Sequence, residues 1–167
     1  MFVKIGTSLI LGAAVGAAAC APVVQEQGGG GAAHHAMHAS PAPAADSRPV
    51  VRFPEELRIH TLANMRDHLR ALQEIQDALA QEQYDRASDI AEQRLGMSSL
   101  RLHGAHELSK FMPEGMQNIG TEMHRAASRF AVTAKDAGAT GDVKPALAAL
   151  SRVSQQCVAC HSAYRVQ

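Results

Sequence analysis

The chain ends in Cys157-Val158-Ala159-Cys160-His161-Ser162-Ala163-Tyr164-Arg165-Val166-Gln167, and this stretch determines how the rest of the sequence is interpreted. Its Cys-x-x-Cys-His core is the pattern to which c-type haem is attached through two thioether bonds. On a helix, residues three and four apart share one face, so all three side chains can reach a single porphyrin. The sequence therefore predicts one covalent haem c, attached at Cys157 and Cys160, with His161 as the proximal ligand of the iron.

Two other interpretations of the cysteine pair fit the sequence less well. A thioredoxin-like redox pair opens a helix that follows a strand, whereas this pair lies at the end of an apolar helical pattern. A zinc site needs further Cys or His ligands at suitable spacing, and the chain has no second Cys pair, since only Cys20 remains. Haem attachment is the preferred interpretation.

The place of the motif, about one turn from the C-terminus and followed by Ala163-Tyr164-Arg165, resembles the cytochrome c′ family. Members of that family are periplasmic four-helix bundles with the haem on the last helix, whereas ordinary small cytochromes c carry the motif near the N-terminus. The resemblance covers residues 51–167. It implies that Arg165 lies near the proximal histidine, and it allows a homodimer, because relatives often pair through their first two helices.

Four helical patterns support this resemblance independently. Apolar residues recur at alternating steps of three and four over residues 54–81, 84–110, 116–137 and 142–164. Gly138 is expected to cap the third helix and Asp142 the fourth. Because short connections make neighbouring helices antiparallel, the predicted fold is all-α: an up-down-up-down four-helix bundle with the haem on the last helix.

The residue opposite His161 determines the function. Residues 58–69 resemble the family's first-helix pattern of a basic residue, a distal apolar residue and then Met-x-x-His. The resemblance implies that Leu62 faces the iron and that Arg58 pairs with a haem propionate. With Leu62 in that place the iron is five-coordinate and binds a small gas such as nitric oxide or carbon monoxide.

Met65 is the other candidate for the residue that faces the iron opposite His161. If its thioether binds the iron, the haem is six-coordinate, and Met/His ligation raises the potential and suits an electron carrier. Leu62 and Met65 are three residues apart on one helical face, so spacing does not separate the two interpretations. Electron transfer to periplasmic redox partners is preferred, and gas binding is the alternative.

Five further histidines lie in the helical region, and most are expected at exposed or edge positions. They are His60, His68, His103, His106 and His124. A peroxidase would require a distal acid–base pair near an open iron site, and Arg58 with His60 are candidates. Catalysis is the minority interpretation, and the protein is predicted not to be an enzyme.

Residues 1–20 are typical of an export signal, with Lys4 before a short apolar run. Ala17-Ala18-Ala19-Cys20 is similar to a lipobox, so Cys20 is predicted to carry a lipid; ordinary cleavage near Ala19 is the alternative. The protein is therefore expected in the periplasm, held to the membrane only by this anchor. The formal net charge of zero gives no indication of a nucleic-acid partner.

Residues 21–50 are rich in Gly, Ala and Pro and are predicted to form a disordered linker before the haem domain at 51–167. The linker contains His34-His35-Ala36-Met37-His38, whose imidazole and thioether groups are suitable copper ligands. The preferred interpretation is that the segment is a flexible tether and that its histidines are incidental, with no metal-binding role. A protein that handles copper through this segment is the second alternative function.

Overall fold

The computed structural model describes residues 45–167, and most of them are helical. The helices are α1 (Glu55–Ala80), α2 (Tyr84–Arg94), α3 (Ala105–Ser109), α4 (Glu114–Thr140) and α5 (Lys144–Ala163). A 3₁₀ turn, Met97–Ser99, lies between α2 and α3, and two short strands, β1 (Val50–Val51) and β2 (Arg165–Val166), flank the helices. The predicted all-α class is confirmed.

The predicted export signal, Cys20 and the segment His34 to His38 lie outside the described residues. Within residues 45–167, no helix combines the length and apolar character needed to cross a bilayer.

The predicted second helix, 84–110, is wrong, because the chain leaves the helix after Arg94. At Gly96 the backbone is extended, and a Cβ there would clash with the Glu92 carboxylate. That carboxylate accepts the Ser98 backbone N–H at 3.1 Å, and the Ser99 hydroxyl donates to the Gly96 carbonyl at 2.7 Å. The local hydrogen bonds of Ser98 and Ser99 thus replace the backbone hydrogen bonds of a helix, and α2 does not continue past this point.

The long helices pack in chain order: α1 contacts α2, α2 contacts α4, and α4 contacts α5. Their shared core is rich in alanine, which lets the backbones approach closely, and Phe130 and Ile75 are its largest fully buried residues. A second, smaller cluster is formed by Val51, Phe53, Leu108 and Met116.

The two strands fasten the C-terminus beside the start of α1. They pair in parallel, with Val50 opposite Arg165 and Val51 opposite Val166. The Arg165 N–H donates to the Pro49 carbonyl at 3.0 Å, and the Gln167 N–H donates to the Val51 carbonyl at 3.1 Å. The residues that directly follow α5 are therefore held in place by the segment that precedes α1.

Both predicted caps concern the junction between α4 and α5. Gly138 does not end α4; the helix continues to Thr140 and ends at Gly141, whose φ of 75° is left-handed. The Asp142 carboxylate accepts the Lys144 N–H at 3.0 Å, but the N-cap of α5 is Val143, so Asp142 lies one residue before the cap position predicted for it.

Gly141→Ala is expected to lower the free energy of unfolding by about 1 kcal/mol, because alanine tolerates a positive φ poorly. A Cβ at Gly141 meets nothing within 4 Å, so the effect comes from the backbone alone. The matched control is Gly120→Ala inside α4, where a Cβ meets only the end of Met112 at 4.0 Å. Urea unfolding should show a loss for the first variant and none for the second; equal effects would contradict this account of the cap.

Candidate functional site

A cavity of about 500 Å³ lies between α1, the 96–113 segment, α4 and α5. This volume falls within the range of about 300–1,000 Å³ that is usual for cofactor and small-molecule sites. We call it the central cavity. Its wall includes members of both core clusters and is mainly apolar. The apolar side chains in the wall include those of Phe53, Met65, Leu69, Leu72, Leu100, Leu108, Met112, Met116, Ile119 and Met123.

The three residues of the C-terminal motif, Cys157, Cys160 and His161, all line the central cavity from the end of α5. Both thiols are free and half-buried, and burial raises their pKa values. The Cys157 thiol also donates to the Val153 carbonyl at 3.6 Å. The helix therefore presents two protonated thiols and an imidazole to one apolar space, which is the arrangement expected from their spacing.

The two candidates for the distal position differ in their surroundings. Met65 is half-buried and lines the central cavity, together with Thr61 and Asn64 of the same helix. Leu62 is half-buried but is not among the residues that line the cavity. The face of α1 that borders the cavity thus contains the thioether.

The two arginines assigned from the resemblance are engaged elsewhere and do not line the central cavity. The Arg58 guanidinium forms a 2.8 Å ion pair with Glu55 one turn earlier. The Arg165 Nε donates to the Arg48 carbonyl at 3.2 Å, and Arg48 itself donates to the backbone carbonyl of His161. Arg48 is therefore the cation in direct contact with the motif, and sequence reasoning missed it.

The expectation that most histidines lie at exposed or edge positions is wrong for three of them. His68, His103 and His124 line the central cavity, and the last two are buried. We call these three residues the histidine cluster. The ring centroids of His68 and His103 are 4.7 Å apart, those of His103 and His124 5.3 Å, and those of His68 and His124 6.2 Å.

The remaining two histidines lie outside this cluster. His60 is half-buried beside Gly104, and His106 is exposed, 3.9 Å from Glu107. Neither lines the central cavity, so the pair Arg58 and His60, considered as a peroxidase acid–base pair, is not brought to it.

Burial is the main cause of the low pKa values of the three imidazoles in the histidine cluster. It lowers the pKa of His68 and of His103 to about 4, with repulsion from neighbouring histidines adding to the effect. Burial also lowers the pKa of His124, against the hydrogen bond to the Leu95 carbonyl, which raises it. All three rings are therefore neutral at pH 7.

These pKa values make stability depend on pH. Between pH 6.5 and 4 the unfolded chain binds protons that the folded His68 and His103 exclude, so stability falls as the pH falls. Because one pKa unit corresponds to about 1.4 kcal/mol, we expect a loss of at least about 2 kcal/mol between pH 7 and pH 5. Urea unfolding at the two pH values measures it, in buffer treated with a chelator.

The control for this pH dependence is the double variant His68→Gln/His103→Gln, which should show a much smaller difference between pH 7 and pH 5. His106→Gln, at an exposed position, should retain the wild-type difference. An unchanged pH dependence in the double variant would contradict the assignment.

Comparison of the chain with models of known families, with curated proteins and with solved structures finds no match.

Proposed function

We propose that the protein is a periplasmic monohaem c-type cytochrome that carries electrons. In this proposal Cys157 and Cys160 hold the haem covalently, and His161 is the proximal ligand of the iron. The supporting observation is that these three side chains open together into one apolar cavity of about 500 Å³. A haem is flat and largely apolar, so the mainly apolar wall fits it; when bound, it supplies a one-electron redox centre.

The residues of the chain would perform three tasks in this proposal. The last turns of α5 present both thiols and the imidazole on one face. The apolar wall excludes water, and low solvent exposure is one of the means by which a protein adjusts a reduction potential. The hydrogen bond from Arg48 to the His161 carbonyl and the pairing of β1 with β2 hold the end of α5 in position.

We propose that the arrangement of the helices is the four-helix bundle of the cytochrome c′ type. Four long helices, α1, α2, α4 and α5, contact each other in chain order and are joined by short connections or by the 96–113 segment. In the proposed arrangement they run up-down-up-down, and the haem occupies the central cavity beside α5. Lipidation of Cys20 would keep the protein at the membrane, facing periplasmic redox partners.

Electron transfer is favoured over gas binding because Met65, and not Leu62, lines the central cavity. A thioether opposite His161 would make the iron six-coordinate in both oxidation states, and Met/His ligation also raises the potential. The alternative is a five-coordinate protein that binds nitric oxide or carbon monoxide with Leu62 at the distal face. Copper handling by the His34 to His38 segment is the second alternative.

Met65→Ala distinguishes the two haem functions. The wild-type protein is expected to be low-spin, with a near-infrared band from the thioether–iron bond and little reaction with carbon monoxide. Met65→Ala should lose this band, become high-spin and bind carbon monoxide readily, because the distal position is then open. Optical spectra of the ferric and ferrous proteins, with and without carbon monoxide, provide the measurement.

The matched control is Leu62→Ala, which lies on the same helix and should leave the spectrum unchanged. A wild-type spectrum that is high-spin and shifts with carbon monoxide, altered by Leu62→Ala and not by Met65→Ala, would instead establish gas binding.

A further inference from the structure

The hydrogen bonds around the histidine cluster determine which ring nitrogens are available. The His124 Nδ1 donates to the Leu95 carbonyl at 2.7 Å, so its Nε2 is the nitrogen with a lone pair. The Ser99 hydroxyl donates to the Gly96 carbonyl, so its oxygen can accept a hydrogen bond from the His103 Nδ1–H, 3.4 Å away. The Nε2 of His103 is then also unprotonated.

Such outer hydrogen bonds are a recurring feature of metal-binding histidines. A histidine that binds a metal ion through one nitrogen usually donates its other N–H to a carbonyl, carboxylate or water, which fixes the tautomer and the ring orientation. His124 meets this condition directly, and His103 meets it through Ser99. Both rings are also neutral at pH 7, as a metal ligand must be.

The spacing within the cluster matches two ligands of one ion. The Nε2 atoms of His68 and His103 are 3.4 Å apart. Imidazole nitrogens at about 2.0–2.1 Å from one ion, at tetrahedral or trigonal angles, are separated by about 3.4 Å. Because the His103 Nε2 carries no proton, the proton between these two nitrogens belongs to the His68 Nε2, and binding of an ion requires that it moves to the His68 Nδ1.

The third ligand is not yet in place. Within residues 45–167, no three His, Cys, Asp or Glu side chains already have the arrangement of a metal site. The His124 ring is 5.3 Å from the His103 ring but 6.2 Å from the His68 ring, so it must turn toward the pair. Rings bound to one ion have centroids about 5 Å apart, so the His124 ring centroid must approach that of His68 by about 1 Å.

The surroundings favour a soft ion. Among residues 45–167, four methionines line the same cavity as the cluster, and no carboxylate does; the methionines are Met65, Met112, Met116 and Met123. Neutral imidazoles with thioethers nearby suit copper(I), which accepts low coordination numbers and prefers nitrogen and sulfur ligands, whereas hard cations require oxygen ligands.

We propose that His68, His103 and His124 form a binding site for one copper(I) ion in the wall of the central cavity. The nitrogens that bind are the three Nε2 atoms, with Leu95 and Ser99 orienting two of the rings. This site does not depend on the haem assignment, since none of its ligands belongs to the C-terminal motif. None of its ligands belongs to the His34 to His38 segment either.

The test uses the full-length mature protein in which His34, His35, Met37 and His38 are replaced by alanine, because these residues could bind copper themselves. We expect this protein to take up one equivalent of copper(I) in an anaerobic competition with a chromophoric copper(I) chelator. His68→Gln and His103→Gln, each in the same background, should weaken binding at least about 100-fold, since loss of even an outer hydrogen-bond partner costs 10–100-fold. His106→Gln should bind like the parent.

X-ray absorption at the copper edge measures the ligands of copper in the parent protein. It does not depend on whether the variants of the histidine cluster fold. Nitrogen scatterers at about 2.0 Å with the pattern of imidazole rings would support the site. A first shell dominated by sulfur, or copper uptake that is equal in the parent and in the folded His68→Gln and His103→Gln variants, would overturn it. The haem content, measured on the same samples, reports on the proposed function separately.

Discussion

Replacing Cys157 and Cys160 together by serine is expected to give a protein without covalently bound haem. The reason is that serine cannot form the thioether bonds, although the helix, the cavity and His161 are unaffected by a change of one atom at each position. Denaturing gel electrophoresis followed by haem staining measures the result. The wild-type protein should retain its haem through denaturation, and the double variant should show none.

Two controls make this experiment specific. Cys20→Ser should retain the full haem stain, because Cys20 lies outside the predicted attachment motif. A single Cys157→Ser or Cys160→Ser variant can keep one thioether, so it should retain some stain with a shifted ferrous spectrum. Haem that survives denaturation in the double variant would contradict the assignment of the motif.

Phe130→Ala is expected to cost about 3–5 kcal/mol of the free energy of unfolding. Phe130 is fully buried in the alanine-rich core, together with Ala127 and Ala134 of its own helix. Because these small neighbours cannot move far enough to fill the space, most of the aromatic volume becomes a cavity. Urea unfolding of the mature protein provides the measurement.

The control is Val132→Ala, two residues away on the same helix, where the side chain is 63% exposed. Its effect should stay within about 0.5 kcal/mol. If both variants lost the same stability, the core would not be organised around Phe130.

Much of the fold could be predicted from the periodicity of apolar residues. The bounds of α1, α4 and α5 differ from the predicted helices by at most three residues, because each presents a continuous apolar stripe over many turns. The segment after Arg94 could not be predicted in this way. Its apolar residues keep a helical spacing, but local hydrogen bonds from Ser98 and Ser99 and the close approach at Gly96 end the helix.

The strand pairing was beyond sequence reasoning for a different reason. Each strand has only two residues, so no alternation can be recognised, and the pairing joins Val50 to Arg165 across almost the whole described chain. Such a long-range contact depends on the packing of the helices and not on a local pattern.

The histidine cluster was missed although part of its signal was present. His68 lies seven residues from both Thr61 and Ile75, which are buried, and so it shares their face of α1. His124 begins a buried series that continues with Ala127 and Ala131. Each of these histidines has charged or polar neighbours in the sequence, and those neighbours favour an exposed or edge position. His103 had no such signal, because its position depends on the turn after Gly96.

The intact mass of the full-length protein, produced with a competent haem-attachment system and measured under denaturing conditions, shows whether a haem is covalently attached. We expect the mass of the mature polypeptide plus one haem, because two thioether bonds survive denaturation. A mass equal to that of the bare polypeptide would contradict this expectation.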